Sequence, residues 1–202
     1  MRLIGGFMSA VSLVEGLDDP VCGLAPLLDA ARLVQPGLES VRPLTLAGVT
    51  TLAEAGTIWR DQLYLTALAP FLLDQLARAR HGKLREMAAA DAQFSEVLDE
   101  TLAESSIAAG RKLVGLAAAM RGDRLLPKLA DRAARHEIPC HYLTVFAARC
   151  AAFSIDDRTA LGASVIREVC GWSIISPAPA VAGFIRSCID VIPASRFGLR
   201  AA

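Results

Sequence analysis

The sequence has no net charge and few aromatic residues. Its 202 residues include 21 Lys+Arg and 21 Asp+Glu, and only 5% are Phe, Trp or Tyr. Without a surplus of cations the chain is poorly suited to neutralise phosphates, which argues against a nucleic-acid binder and against a polybasic membrane-surface protein. Apolar residues make up 53% of the chain, too many for an intrinsically disordered protein.

Long apolar runs are also missing. The longest stretch without Asp, Glu, Lys or Arg is 169–185, and Pro177 and Pro179 interrupt it. A membrane-spanning helix needs about 20 predominantly apolar residues. We therefore expect a protein without a membrane segment.

Cysteines are few and do not form a close-spaced framework. The five of them, an odd number, stand among apolar residues: Cys22, Cys140, Cys150, Cys170 and Cys188. Scattered cysteines of this kind are typical of reduced, buried thiols in a cytoplasmic protein. We therefore predict that the protein is cytoplasmic and that its cysteines form no disulfide.

What the chain has in abundance is Ala and Leu, which together supply about a third of the residues. Both are strong helix formers, whereas strands favour β-branched and aromatic side chains. The sequence therefore predicts an all-α fold, a single domain over 1–202 that forms a compact bundle of about eight helices. Predicted helices cover 20–33, 51–69, 71–80, 90–121, 126–136, 141–152, 155–172 and 180–192.

Local signals define several of these boundaries. Thr51 and Glu54 have the spacing of a capping box, in which each side chain serves the other's backbone N–H. Pro70 lacks an N–H and should kink or end the helix that begins at Thr51. Gly82 is a candidate left-handed residue at a helix C-terminus. Ser154 and Asp157 have the spacing of another cap.

Motifs for catalysis are largely absent. The sequence contains no Gly-rich phosphate loop, no G-x-S-x-G and no H-E-x-x-H. Two aspartate pairs, Asp18-Asp19 and Asp156-Asp157, leave open an α-helical enzyme of the isoprenoid-synthase type. The residues four positions after each first Asp are Cys22 and Ala160, so the third carboxylate of such a metal site is missing. Helix capping explains the pairs better.

One cluster has residue types that suit a nickel, zinc or copper ion, namely His136, Cys140 and His141. Pro139 interrupts it, and Cys140 and His141 are neighbours whose side chains should point apart. We interpret His136 as a helix-ending residue and Cys140-His141 as a buried entry to the next helix. The sequence thus predicts no cofactor and a binding protein rather than an enzyme.

Four segments, taken in order, resemble the UreF family of urease accessory proteins. Gly5-Gly6-Phe7, with Ser12 and Glu15, is similar to the family's opening P-x-G-G-F-x-x-S-x-G-L-E. Residues 51–73 resemble its L-A-E-W-L-R-D-L-L followed by P-L-L.

The other two segments lie in the second half of the chain. Residues 105–113, with Gly110-Arg111, resemble S-x-x-x-G-R-x-L. Residues 141–176, from His141 to Trp172 and Ser176, are similar to H-x-x-V-x-F-G…Y-x-W-x-S-x-x-x-S. After Ser176 the family's A-x-R-L-x-P-L-G-Q pattern is replaced by Pro177-Ala-Pro179.

The resemblance implies an all-α, non-catalytic scaffold. Proteins of this family dimerise and, with UreD-like and UreG-like partners, help nickel insertion into apo-urease. The residues that the resemblance implies as partner or dimer contacts are Gly5, Phe7, Glu15, Arg111, His141 and Trp172. An unrelated helical interaction module with the same Ala/Leu composition is the remaining alternative.

Overall fold

The computed structural model describes residues 16–35, 51–117, 124–172 and 176–193. In these ranges the chain is helical and contains no strand, which confirms the predicted all-α class. Residues 52–80 form one continuous helical segment made of three elements. The described residues therefore contain eight separate helical segments. The elements are α1 (Ala25–Val34), α2 (Leu52–Ile58), a π-helical segment (Trp59–Leu68), α3 (Ala69–Arg80), α4 (Leu84–Val97), α5 (Glu100–Ala117), α6 (Leu125–Ala134), α7 (Tyr142–Ala152), α8 (Asp157–Gly171) and α9 (Ala178–Asp190).

Helix α7 is the centre of the bundle. It packs against α1, α3, α5 and α6, and every residue from Tyr142 to Cys150 is buried. A helix that is apolar on all sides is stable only inside a protein. Helix α8 packs beside it against α1, α3 and α9. The residues that are buried in α7 therefore determine how four other helices are arranged.

The helical segment 52–80 does not show the kink or end that the sequence predicts at Pro70. Pro70 occupies the first turn of α3, directly after ten π-helical residues, and the helical segment continues through it. In a π-helix the backbone N–H bonds five residues back, so the chain reaches Pro70 with a different register. The buried side chains of the π-helical segment are Trp59, Tyr64 and Leu68.

The predicted helix 90–121 is two helices. The chain breaks at Leu98, whose backbone is extended (ψ 151°), and the Asp99 carboxylate accepts a 3.0 Å hydrogen bond from the Leu102 N–H to start α5. After the break, α5 turns one face to the core. Its buried members are Ala103, Ser106, Ala109, Gly110, Leu113 and Val114. The predicted end at 121 lies outside the described residues.

Two helix starts also differ from the sequence prediction. Helix α1 begins at Ala25 with Pro26 in its first turn, whereas Pro20 lies in a turn. Helix α8 is capped by Asp156, which accepts a 2.9 Å hydrogen bond from the Thr159 N–H. Ser154 has a φ of 56° and takes no part in the cap. At both starts another residue of the right type lies next to the first helical turn: Pro26 instead of Pro20, and Asp156 instead of Ser154.

The thiols follow the prediction in the described part of the chain. Cys22, Cys140, Cys150 and Cys188 are free and buried. Burial raises the pKa of Cys188 to about 12, so this thiol stays protonated at neutral pH. Among the described residues, no helix is both long enough and apolar enough to cross a membrane.

Candidate functional site

The segment 135–141 links α6 to α7, and we call it the α6–α7 junction. His136 and Cys140 both have left-handed backbone conformations, with φ of 56° and 71°. Ile138, Cys140 and His141 are buried, so the segment turns sharply while it enters the core. Non-glycine residues hold such angles only when their surroundings fix them.

Asp91 of helix α4 holds the backbone of Cys140 and His141 in place. This carboxylate is fully buried, and it accepts hydrogen bonds from the Cys140 N–H at 2.6 Å, the His141 N–H at 3.0 Å and the Thr144 hydroxyl at 2.5 Å. The first N–H groups of an α-helix have no partner within the helix, and a carboxylate there also interacts favourably with the helix dipole. Asp91 therefore caps α7 from a different helix.

Gln75 extends this polar network to α3. Its amide Nε2 donates to the Met87 carbonyl at 3.1 Å and to the Thr144 hydroxyl at 3.3 Å. Gln75 and Thr144 are both fully buried. Three helices, α3, α4 and α7, are thus joined by side chains whose hydrogen bonds depend on one arrangement of their backbones.

The His141 ring lies inside this network. Its Nε2 is 2.8 Å from the Ser95 hydroxyl, and the ring packs edge-on against Phe94 with centroids 5.3 Å apart. Nδ1 is buried with no hydrogen-bond partner. Burial lowers the pKa of His141, and the nearby Asp91 carboxylate opposes that effect only in part. The imidazole is therefore neutral at physiological pH.

Ser95, His141 and Asp91 have the residue types of a catalytic triad but not its geometry. A triad requires the carboxylate to orient the imidazole through its second ring nitrogen. Asp91 instead bonds the backbone N–H of His141, and the ring Nδ1 has no partner. The imidazole is also fully buried, out of reach of a substrate. The arrangement supports helix capping rather than nucleophilic catalysis.

Helix α5 lies against the junction at very short range. A Cβ on Gly110 would be 2.0 Å from the Cys140 carbonyl oxygen and 2.7 Å from the Tyr142 nitrogen, both backbone atoms. Four residues earlier, the Ser106 hydroxyl accepts a 3.3 Å hydrogen bond from the Tyr142 N–H. Only a residue without a Cβ allows this approach. The glycine of the G-R pair thus has a packing role that its neighbour does not share.

Arg111 lies at the exposed edge of the same contact. Its side chain is on the protein surface, and Nη2 is 3.4 Å from the His136 Nδ1. Close by, Glu137 pairs with Arg135 at 2.6 Å and with Arg132 at 3.8 Å. Exposed ion pairs of this kind contribute little to stability, typically below about 1 kcal/mol. Because the Arg111 side chain is exposed, it is available for an intermolecular contact.

The turn separates His136 from Cys140 and His141, the three residues of the candidate metal cluster. His136 is exposed, whereas Cys140 and His141 are buried against α4 and α5. Desolvation by burial raises the pKa of Cys140 to about 12, so the thiolate that a metal would require is disfavoured. Among the described residues, no three His, Cys, Asp or Glu side chains converge to hold a metal ion.

Trp172 lies elsewhere, in an aromatic cluster of four residues at the side of the bundle formed by the π segment and α9. Its ring packs edge-on against Trp59 at 5.6 Å and lies 5.8 Å from Phe184. Tyr64 stacks on Trp59 at 4.7 Å. Trp172 is only 7% exposed, so it supports the surface from beneath.

The remaining predicted contacts are Gly5, Phe7 and Glu15, which lie outside the described residues. Of the predicted interface residues, the structure thus brings Arg111 and His141 to one junction and places Trp172 in a separate cluster. Their roles as partner contacts stay predictions.

Both aspartate pairs have structural partners. Asp156 caps α8, and Asp157 pairs with Arg80 at 2.5 Å. Asp18 pairs with Arg32 at 2.8 Å, while Asp19 accepts a hydrogen bond from the Val21 N–H. The carboxylates of each pair therefore bond different groups, as capping and surface pairing require.

Sequence reasoning missed Asp91, Gln75 and Thr144. A usable signal was Asp91 itself, a charged residue inside the apolar run 87–92. Such a residue is found buried only when hydrogen bonds compensate it. Arg149 in the apolar helix α7 carries the same signal, and it donates to the Val34 carbonyl and, at 3.0 Å, to the Leu33 carbonyl at the end of α1.

In a comparison with known protein families, the sequence model of UreF matches residues 49–170, more than half of the chain. Searches of curated proteins and of solved structures gave no match. The matched range includes Gly110, Arg111 and the whole α6–α7 junction. Gly5, Phe7 and Glu15 precede the matched range, and Trp172 follows it.

Proposed function

The chain is a member of the UreF family, and from that premise we propose that it acts as a non-catalytic accessory protein in urease maturation. In this role it forms a cytoplasmic homodimer that binds UreD-like and UreG-like proteins and helps them deliver nickel to apo-urease. Nickel is the cargo of the assembly and not a resident cofactor of this chain.

The family match over residues 49–170 carries the proposal. It also rules out the alternative of an unrelated helical module. Two of the segments that resemble the family, 105–113 and 141–176, contact each other where Gly110 lies against the Cys140–Tyr142 backbone. These two segments of the resemblance are therefore in direct contact in the fold.

A scaffold role is also supported by how the chain uses its reactive side chains. Asp91 caps a helix, His141 is buried and neutral, and Cys140 is a protonated thiol at neutral pH. The aspartate pairs that left an isoprenoid-synthase type of enzyme open are used in capping and surface ion pairs. What the chain offers to other molecules is its surface, where Arg is the dominant cation.

The proposal is tested by reconstitution. The tagged chain is co-expressed with UreD-like and UreG-like proteins and apo-urease, and the purified complexes are analysed for composition, nickel content and urease activity. We expect the tagged chain to recover both accessory partners, and omission of the chain to leave urease with little nickel. Recovery of no accessory partner, together with full activation in its absence, would contradict the proposed function.

A further inference from the structure

The π-helical segment forms one wall of an internal cavity of about 20 Å³. Its three buried residues, Trp59, Tyr64 and Leu68, all line this cavity. In an α-helix Trp59 and Leu68, nine residues apart, would point in opposite directions, because each residue turns the helix by about 100°. A π-helix bonds residues five apart, so side chains at spacings of five and four share one side. The π geometry therefore brings these three side chains to the cavity together.

The other walls of the cavity carry polar groups from α5 and α8. They include the hydroxyls of Ser106 and Ser164, and the side chains of Arg167 and Glu168, which form a buried ion pair at 2.7 Å. Charges inside a protein are costly unless further hydrogen bonds accompany them. The cavity therefore suits a polar occupant better than an apolar one.

Tyr64 adds a hydroxyl from the π-helical side. The residue is only 1% exposed, and its hydroxyl has no direct hydrogen-bond partner among the described residues. Burial raises the pKa of Tyr64, and an interaction with the Ser164 side chain opposes that effect only in part. The phenol is therefore protonated at neutral pH and is able to donate and to accept. A buried hydroxyl normally has such a partner, since burial without one is unfavourable.

We propose that the cavity is a binding site for one ordered water molecule, which bridges the Tyr64 hydroxyl to the hydroxyls of Ser106 and Ser164. A water molecule needs a cavity of roughly 10–15 Å³ and two to four polar partners, and this cavity meets both conditions. Its volume excludes a ligand of several heavy atoms. The bound water fastens the π-helical segment to α5 and α8.

Both serines have hydrogen-bonding capacity left for the water. The Ser164 hydroxyl donates to the Leu161 carbonyl at 2.7 Å, so its lone pairs are able to accept from the water. The Ser106 hydroxyl oxygen accepts from the Tyr142 N–H at 3.3 Å, so its own proton is able to donate to the water. The water thus donates to one serine and accepts from the other, and its second proton or lone pair meets the Tyr64 hydroxyl.

The chain offers a matched pair of variants, because it contains only two tyrosines. Tyr64→Phe removes the hydroxyl that faces the site and keeps the ring. Tyr142→Phe is the control: Tyr142 also lines the cavity, but its hydroxyl bonds the Gln35 side chain. Both changes delete one oxygen atom from a buried ring, so they differ mainly in which hydrogen bond is lost.

The measurements are a high-resolution crystal structure of the unchanged full chain and magnetic relaxation dispersion of water oxygen, which counts long-lived internal waters in solution. Circular dichroism checks the fold of each variant. In the crystal we expect a water within hydrogen-bond distance of the Tyr64 hydroxyl and of a serine hydroxyl. In solution Tyr64→Phe should lose one long-lived water relative to the unchanged chain, and Tyr142→Phe should keep it.

Three results would overturn the inference: a crystal structure of the unchanged chain with no water at the Tyr64 hydroxyl, a folded Tyr64→Phe variant with an unchanged number of long-lived waters, and occupation of the cavity by xenon under pressure, which would mark it as apolar. If Tyr64→Phe fails to fold, the crystal structure of the unchanged chain still decides. The inference does not depend on the proposed function, and none of these results affects recovery of the accessory partners.

Discussion

The buried end of the α6–α7 junction, at Cys140 and His141, is held together differently from the aromatic cluster of Trp59, Tyr64, Trp172 and the half-buried Phe184. In the junction, the Asp91 carboxylate, the Gln75 amide and the Ser106 hydroxyl bond specific backbone groups. In the cluster, rings pack against each other, and the indole N–H groups of Trp59 and Trp172 have no hydrogen-bond partner. Hydrogen bonds specify positions within tenths of an ångström, whereas ring packing depends mainly on volume. Substitutions should therefore affect the two regions in different ways.

The largest effect is expected from Gly110→Ala at the junction. The added methyl group would overlap backbone atoms of Cys140 and Tyr142, which cannot rotate away, so α5 must separate from α7. We expect a loss of about 4 kcal/mol in unfolding free energy, or failure to fold. Urea denaturation followed by circular dichroism measures it.

The matched control for this variant is Gly183→Ala in α9. A Cβ at that helical position meets no atom within 4 Å, so the variant should gain up to about 1 kcal/mol. Equal effects of the two alanines would show that Gly110 does not make the close contact described here.

Asp91→Ala should have the next largest effect. It leaves the Cys140 and His141 N–H groups and the Thr144 hydroxyl without their acceptor in the protein interior. We expect a loss of about 3 kcal/mol, with a smaller loss for Asp91→Asn, which keeps one acceptor oxygen. Denaturation midpoints at constant m-value provide the measurement. Asp29→Ala, at an exposed ion pair, should change stability by less than about 0.5 kcal/mol, and a similar result for Asp91→Ala would refute the capping role.

In the aromatic cluster, Gly56→Ala should destabilise the protein by about 2 kcal/mol. Its Cβ would lie 2.6 Å from a ring carbon of Phe184, a side chain that is able to shift. Phe184→Leu should relieve part of this overlap, so the two substitutions should be non-additive in a double-mutant cycle. Simple additivity would mean that the methyl group added at Gly56 does not press on the Phe184 ring.

The smallest effect is the pH dependence from His141. Because burial lowers the pKa of His141 in the folded state, the unfolded chain binds more protons as the pH falls through the unfolded value near 6.5. Stability should therefore decrease between about pH 7 and 5, by at most about 1.4 kcal/mol per pH unit from this group. His141→Gln should flatten the curve in this window. A curve for this variant that runs parallel to that of the unchanged chain would exclude His141 as the cause.

The regular helices were predictable because their signals are local. The Thr51 cap, the left-handed Gly82 and the limits of α7 all follow from neighbouring residues, and each is confirmed. The break at Leu98 was missed because a continuous apolar stripe runs across it, although Asp99 had the chemistry of a cap. The π-helical segment was missed because its hydrogen bonds join residues five apart, whereas the apolar pattern was compared only with the spacing of an α-helix.

By itself the sequence determined the all-α class, most helix limits and, through its ordered motifs, the UreF family, since all three depend on residue types and spacings along the chain. Tertiary structure alone decided that Asp91 would cap a helix fifty residues away, that Gly110 would touch the Cys140 backbone, and that Arg111 would be exposed while His141 is buried. These outcomes depend on which helices become neighbours, and that follows from burying all the apolar faces together rather than from any one segment.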